Sequence, residues 1–213
     1  KGFHVQTKRD RMYIHLDNNN DVEEIMNRLK RVPGIHNFSP VLRAPLDIEE
    51  AKKEFEEDYK YESFIQYYFY KQWKKLKDYA NSKGVKIIGD LPIYVASNSA
   101  DTWQHPKLFC FDKHLKIKAV AGCPPDYFSK KGQLWGNVLY DWEAMKKDNY
   151  SWWEQRIKHS FLLYDVLRLD HFRGFASYWA IRYGEKTAIN GRWEIGPRIQ
   201  FFRDLERKVK NLD

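Results

Sequence analysis

The sequence predicts an α/β protein, a piece of a (β/α) barrel preceded by a smaller α+β segment, and three observations carry that expectation. Two short apolar runs, each too brief for a helix, end in a carboxylate: Val85 to Asp90 and Tyr164 to Asp170. Helical periodicity fills much of the chain between and around them, as the alternation of a parallel sheet requires. The first fifty-odd residues instead follow the order hairpin, helix, strand. In barrels and open α/β sheets, ligands meet the C-terminal ends of parallel strands, so charged groups placed there read as a site.

Taken in order, Phe3–Thr7 and Met12–Leu16 read as two strands joined by the polar turn Lys8-Arg9-Asp10. Asp21 opens a helix through Lys30 with Val22, Ile25, Met26 and Leu29 on one face, and Pro33-Gly34 ends it. Ile35–Leu42 reads as a further strand, with Pro40 at an edge or bulge. Asp47-Ile48-Glu49-Glu50 has the spacing of a capping box, in which each side chain satisfies an orphan N–H of the helix start. No proline or glycine intervenes from there to Asn81, and Gly84 supplies the stop. A helix of that span, roughly 50 Å at 1.5 Å per residue, is too long for an ordinary compact domain, which predicts a join inside it.

Val85–Val95 then reads as a buried strand. Residues 96–149 are rich in aromatics, glycine and proline and carry few helix signals, the pattern of a long functional loop region. Ser151–Leu163 is a short helix feeding the strand that carries Asp170. After Gly196-Pro197, the spacing of Phe201, Leu205, Val209 and Leu212 marks a last helix.

Composition narrows the classes. The chain has 213 residues, 43% of them hydrophobic, enough for one good core. No apolar run approaches the roughly 20 residues of a membrane span, and Lys1-Gly2-Phe3-His4 lacks the apolar stretch of a signal peptide, so a cytoplasmic address is expected and a membrane partner is not. The two cysteines, Cys110 and Cys123, sit in no metal-ligand spacing and read as buried free thiols; no metal or cofactor is expected. The basic excess behind the net charge of +8 lies in residues 59–213, while acidic residues slightly outnumber basic ones before that, so a scattered basic surface is expected and a nucleic-acid partner is not. Aromatics are abundant, at 8 Trp, 14 Tyr and 13 Phe. Flat rings suit sugar faces as well as cores.

Strand alternation puts Arg168 and Asp170 on one side, where the guanidinium can keep the carboxylate ionised and oriented. An ionised carboxylate at a strand end is a natural nucleophile toward an anomeric carbon, because the transition state there resembles an oxocarbenium ion. The same spacing also suits a purely structural buried ion pair, and spacing does not separate the two.

Several motifs go further: Gly89-Asp90-Leu91-Pro92-Ile93-Tyr94-Val95-Ala96, Pro124-Pro125-Asp126-Tyr127-Phe128-Ser129, Gly132-Gln133-Leu134-Trp135-Gly136-Asn137, Leu139-Tyr140-Asp141-Trp142 and Arg168-Leu169-Asp170-His171-Phe172-Arg173-Gly174. In this order they resemble the 4-alpha-glucanotransferase family, the amylomaltases or disproportionating enzymes, from about Tyr59 onward. The resemblance implies a TIM (β/α)8 barrel and transfer of α-1,4-glucan segments by a retaining double displacement, with maltooligosaccharides as partners. It assigns the nucleophile to Asp170. Arg168 and His171 match residues that hold the nucleophile and the sugar, and Asp90 matches a substrate-side carboxylate. Tyr127 and Phe128 match the tip of a mobile loop over the glucan, and Trp135 follows it. The chain departs from the family at Ala180, usually acidic, near Arg182, where a proline is usual, and near Asn98, where an aspartate is usual. The family's acid/base glutamate is expected on the strand after residue 213, and neither Glu185 nor Glu194 takes its place. The resemblance therefore implies a truncated domain that is inactive or nearly so, the alternative being a maltodextrin-binding remnant without chemistry.

Residues 2–55 resemble something else, the N-terminal ferredoxin-like segment of the tRNA sulfurtransferases that make 4-thiouridine, on the run from Lys8-Arg9-Asp10-Arg11 to Phe38-Ser39-Pro40. This implies a fusion of two incomplete pieces, 1–57 and 58–213. It leaves open a tRNA-associated role in which Lys8, Arg9 and Arg11 meet phosphate.

Overall fold

The structure, a computed structural model, describes residues 4–8, 11–16, 22–32 and 47–209. The chain forms two compact units, 1–45 and 46–213. That division falls ahead of the 57/58 junction expected from sequence, and the helices on both sides of Phe55 belong to the second unit.

In the first unit, β1 (His4–Lys8) pairs antiparallel with β2 (Arg11–His15), His4 opposite His15 and Lys8 opposite Arg11. Helix α1 (Val22–Leu29) half-buries Ile25, Met26 and Leu29 while Val22 stays exposed. The expected strand at 35–42 lies outside the described residues.

The second unit opens with α2 (Ile48–Glu54). Asp47 caps it, its carboxylate accepting from the amides of Glu49 at 2.9 Å and Glu50 at 3.0 Å. The expected long helix is interrupted at Phe55, which leaves the helical region at φ −115° and ψ 41°, and resumes as α3 (Glu56–Ser82), about 40 Å long. Gly84, at φ +77°, turns the chain out of it.

Strand β3 (Ile88–Leu91) follows, then α4 (Ala100–Gln104), whose first turn is capped by Ser99. The aromatic stretch is not the loop region expected. It contains β4 (Ala119–Cys123), β5 (Gln133–Val138) and α5 (Trp142–Lys147). Next come α6 (Ser151–Leu163), β6 (Val166–Leu169), β7 (Ser177–Arg182), β8 (Arg192–Ile195) and α7 (Arg198–Glu206). Strands β5, β4, β7 and β8, in that order, make a four-stranded antiparallel sheet, while β3 and β6 form a separate parallel pair. The sheet was hidden in the sequence because β4 is built of small residues and β5 crosses Gly136, so neither shows clean alternation.

The expectation of a buried strand over 85–95 needs correcting. Pro92 ends the ladder after Leu91, and Val85 and Ile88 are exposed. Register explains which face is open. Ile88 lies opposite Val166 and Asp90 opposite Arg168, so these four share one side, and all four are exposed. Gly89, Leu91, Leu167 and Leu169 face the other way and are buried or half-buried.

Aromatic rings build the core. Trp153 and Phe201 are wholly buried, Trp142 stacks on Trp153 at 6.3 Å, and Phe175 stacks on Phe201 at 5.1 Å. Helix α6 supplies Trp152, Trp153 and Ile157 to it. Helix α3 touches this body through one narrow stripe. Trp73 Nε1 donates to Leu163 O at 2.8 Å, Tyr70 OH pairs with His159 Nε2, and Lys77 Nζ donates to Tyr164 O at 2.9 Å and Phe161 O at 3.2 Å. These carbonyls are the orphans of the α6 C-terminus, so Lys77 acts as its cap. Lys77 also pairs with Asp165, whose carboxylate accepts from the Ile87 amide at 2.8 Å and Asn81 Nδ2 at 2.9 Å. Those bonds, Ile87's first, hold the Asp165 carboxyl below its ordinary range. Among the described residues, no helix is long and apolar enough to cross a membrane.

Two predictions follow from packing. Lys77→Met removes a charged donor shared by several carbonyls and should cost about 1–3 kcal/mol, read as a lower urea midpoint at unchanged m-value. Burial pushes the Tyr178 phenol up to about 12 and raises Tyr94 and Tyr140 as well. The neutral packing of Tyr178 stabilises the fold fully below the unfolded value of about 10 and is lost as pH climbs from there through about 12. Urea midpoints should therefore fall over that window, and Tyr178→Phe should flatten the slope by about one proton per molecule.

Candidate functional site

Parallel pairing sets Asp90 directly across from Arg168. The guanidinium takes the carboxylate in a two-pronged grip, Nε to Oδ1 at 2.9 Å and Nη2 to Oδ2 at 2.7 Å. Nη2 also reaches Asp170 Oδ1, at 3.5 Å. Arg168 was expected to serve Asp170 first; the structure gives its main contact to Asp90, because the facing strand position is nearer to planar fork geometry than the residue two places along its own strand. The Asp170 amide donates to Leu91 O at 3.0 Å, which stitches the end of β6 to the end of β3. All three charged side chains are more than half exposed, so the buried ion-pair alternative does not describe them. Arg168's hydrogen bonds hold the Asp90 carboxyl below its ordinary range, and Asp90 in turn raises Arg168.

His171 follows in the left-handed region, φ 47°, and starts a 3-10 turn over Phe172–Phe175. The Trp135 ring meets its imidazole edge to face at 4.9 Å, and Tyr94 lies at 6.5 Å. Gly174 is required by close approach, since a Cβ there would stand 2.7 Å from Ile93 Cδ1 and 2.9 Å from His171 Cδ2. Burial lowers the His171 pKa, against the opposing pull of Asp170, so a neutral ring is favoured at pH 7.

Tyr127 and Phe128 sit at the tip of a tied loop. Asp126 Oδ1 accepts from the Phe128 amide at 2.9 Å and the Ser129 amide at 2.7 Å, yet both rings are about 95% exposed, 95% and 94%. The structure thus brings together Asp90, Arg168, Asp170, His171 and Trp135, and leaves Tyr127 and Phe128 projecting into solvent. The roles of Tyr94 and Gly174 against His171 were missed from sequence, although both stand inside the quoted motifs.

Residues 32–213 match the 4-alpha-glucanotransferase family. The chain belongs to that family. A Clostridium butyricum 4-alpha-glucanotransferase is 52% identical over 173 residues, 81% of this chain and 36% of the relative, and an Aquifex aeolicus 4-alpha-glucanotransferase is 53% identical over 142 residues, 67% of this chain and 29% of the relative. Among solved structures, an amylomaltase from Streptococcus agalactiae in complex with acarbose superposes with a TM-score of 0.73 at 44% identity, covering 76% of this chain and 33% of that one. An amylomaltase from Corynebacterium glutamicum, 16% identical, shares the fold at a TM-score of 0.61 over 86% of this chain and 23% of its own. The chain therefore spans about a third of the length of the glucanotransferases it matches. Residues 1–39 match the ThiI ferredoxin-like domain, and the glucanotransferase match begins at 32, well before the expected Tyr59.

The geometry of this cluster makes one electrostatic prediction. Asp90's pairing with Arg168 contributes stability that is present above pH of about 4 and is lost as pH falls through its depressed value. Arg168→Met should raise the Asp90 midpoint to the ordinary aspartate range in a carboxyl-carbon NMR titration. In the unsubstituted chain, added salt should move that midpoint the same way, because the pair is exposed.

Proposed function

We propose that the second unit carries the nucleophile side of α-1,4-glucan transfer by a retaining double displacement. An Asp170 oxygen bonds to the anomeric carbon as the glycosidic C–O bond breaks and the leaving oxygen takes a proton from water, whose hydroxide takes up the acceptor's proton in the second step. The 4-hydroxyl of an acceptor sugar then attacks the same carbon, the Asp170 ester bond breaks, and the hydroxyl proton departs. Arg168 orients Asp170 and neutralises the paired carboxylates. Neutral His171, braced by Trp135, hydrogen-bonds the sugar at the cleavage point. Asp90 binds sugar hydroxyls, and Tyr127, Phe128 and Trp135 offer faces to glucose rings.

The observation that supports this best is the Arg168 guanidinium shared between Asp90 and Asp170 on the open face of the parallel pair, in a chain of this family. The same observation supports a binding role for Asp90. A carboxyl held ionised by two hydrogen bonds is a poor proton donor. Asp90 is therefore placed as a binding group and not as the donor for leaving-group protonation, a step that contributes roughly 10² to 10⁴ in rate. A partial ferredoxin-like unit in front of a barrel piece, in the cytoplasm, completes the proposal; the two free cysteines suit a reducing compartment.

α-Maltotriosyl fluoride tests it, because fluoride leaves without a proton donor. We expect fluoride release and a maltotriosyl ester on the Asp170 peptide in mass spectrometry, both absent in Asp170→Asn. Equal fluoride release from Asp170→Asn would overturn the assignment. No ester, with maltoheptaose binding still seen by calorimetry, would favour a binding role without chemistry.

A further inference from the structure

Helix α6 carries a half-buried arginine whose hydrogen bonds to the backbone go to the segment that leaves the site. Arg156 Nη2 donates to Pro92 O at 2.6 Å, and Nη1 donates to Ile93 O at 3.2 Å and to the Tyr140 hydroxyl at 3.3 Å. Tyr140 OH itself donates to Ile93 O. One turn back along the helix, Trp152 and Trp153 put their rings 5.2 and 5.0 Å from the guanidinium carbon, holding its plane by cation–π attraction. Both tryptophans are core residues, so the guanidinium is anchored to the most rigid part of the unit.

Its targets matter for their place in the chain. Pro92 and Ile93 follow Asp90 by two and three residues, just where the ladder ends. Leu91 O is held by the Asp170 amide. With Arg156 in place, three successive carbonyls after Asp90 are fixed, one from β6 and two from α6. Freedom of this backbone to rotate would swing the Asp90 side chain and break the fork that Arg168 needs, whose two bonds are 2.9 and 2.7 Å. Ile93 also abuts Gly174, beneath the turn that presents His171.

We infer that Arg156 is a positioning residue for the sugar site: through the Pro92 and Ile93 carbonyls it sets Asp90 against Arg168 and buttresses the His171 turn. The inference rests on the glucan reading of the site for its consequence, though not for its geometry. A lysine cannot replace Arg156, because one ammonium lacks the fork that spans two carbonyls while lying flat on indole rings.

The test compares Arg156→Met, Arg156→Lys and, as a control of stability alone, Leu205→Ala, a truncation of a buried core side chain in α7. Three quantities are read on the full chain: the melting temperature, the Asp90 midpoint in a carboxyl-carbon titration with the His171 ring shifts, and maltoheptaose binding by calorimetry. We expect Arg156→Met to raise the Asp90 midpoint, shift the His171 ring signals and weaken maltoheptaose on the order of tenfold, with Arg156→Lys showing the same changes in smaller degree. Leu205→Ala should lower the melting temperature and leave the midpoint and ring signals in place. If Arg156→Met does not fold, Arg156→Lys carries the test. Arg156 variants that melt lower but keep the wild-type Asp90 midpoint and His171 signals would overturn the inference. Absence of maltoheptaose binding by the unsubstituted chain would instead sink the glucan reading, while the midpoint still decides the positioning role.

Discussion

A parallel register places Asp90 opposite Arg168, and the chemistry of this chain depends on that register being held. A slip of one strand by one residue would send its charged side chain to the opposite face, among the half-buried leucines, and part Asp90 from Arg168. Two short strands cannot secure this alone. The entry to the pair is pinned by Asp165, which accepts from the Ile87 amide and is itself gripped by Lys77 and Asn81 from α3. The exit is pinned by the Asp170 amide on Leu91 O. The long helix thus contributes to the site at a distance, by fixing where the strands begin.

The aromatic residues divide by position in a way that composition cannot express. Trp142, Trp152, Trp153, Phe175 and Phe201 close the core around α6 and α7, and they account for its rigidity through edge-to-face and stacked contacts. Trp135 alone among the tryptophans meets the imidazole of the site. Tyr59, Tyr61, Phe64 and Tyr67 on the first half of α3 are more than half exposed, which is costly unless something covers them. An excess of rings in a sequence is therefore three different statements, about a core, a site and an uncovered helix.

Local signals were the ones legible in the sequence. The Asp47 cap and the helix over 151–163 follow from interactions within a few residues, and the structure has them where they were expected, while the expected face of α1 leaves Val22 exposed and α7 ends at Glu206, before Val209, with Leu212 outside the described residues. The antiparallel sheet was missed because its pairings join residues far apart, Gly122 with Trp179 and Trp179 with Trp193, and each strand is too short or too glycine-rich to announce itself. The site shows the same divide. Its residues could be picked from two strand ends, but the partner of Arg168 lies 78 residues away and emerges only once the strands are paired. Spacing within one strand pointed to Asp170; register across two strands gives Asp90.

That exchange of partners bears on how a carboxylate nucleophile can work. Hydrogen bonds to an ionised carboxyl stabilise its charge and occupy the lone pairs that would attack. Arg168 directs its fork at Asp90 and leaves Asp170 with one long contact, at 3.5 Å. On the proposed reading, Asp90 is held firmly for binding, while Asp170 keeps a positive charge nearby to steady it in the ionised form and retains its oxygens for the anomeric carbon. An arrangement with the fork on Asp170 would orient the nucleophile better and weaken it. The observed geometry orients Asp170 through its backbone instead, by the amide bonded to Leu91 O, so that position is fixed by the main chain and reactivity is left to the side chain.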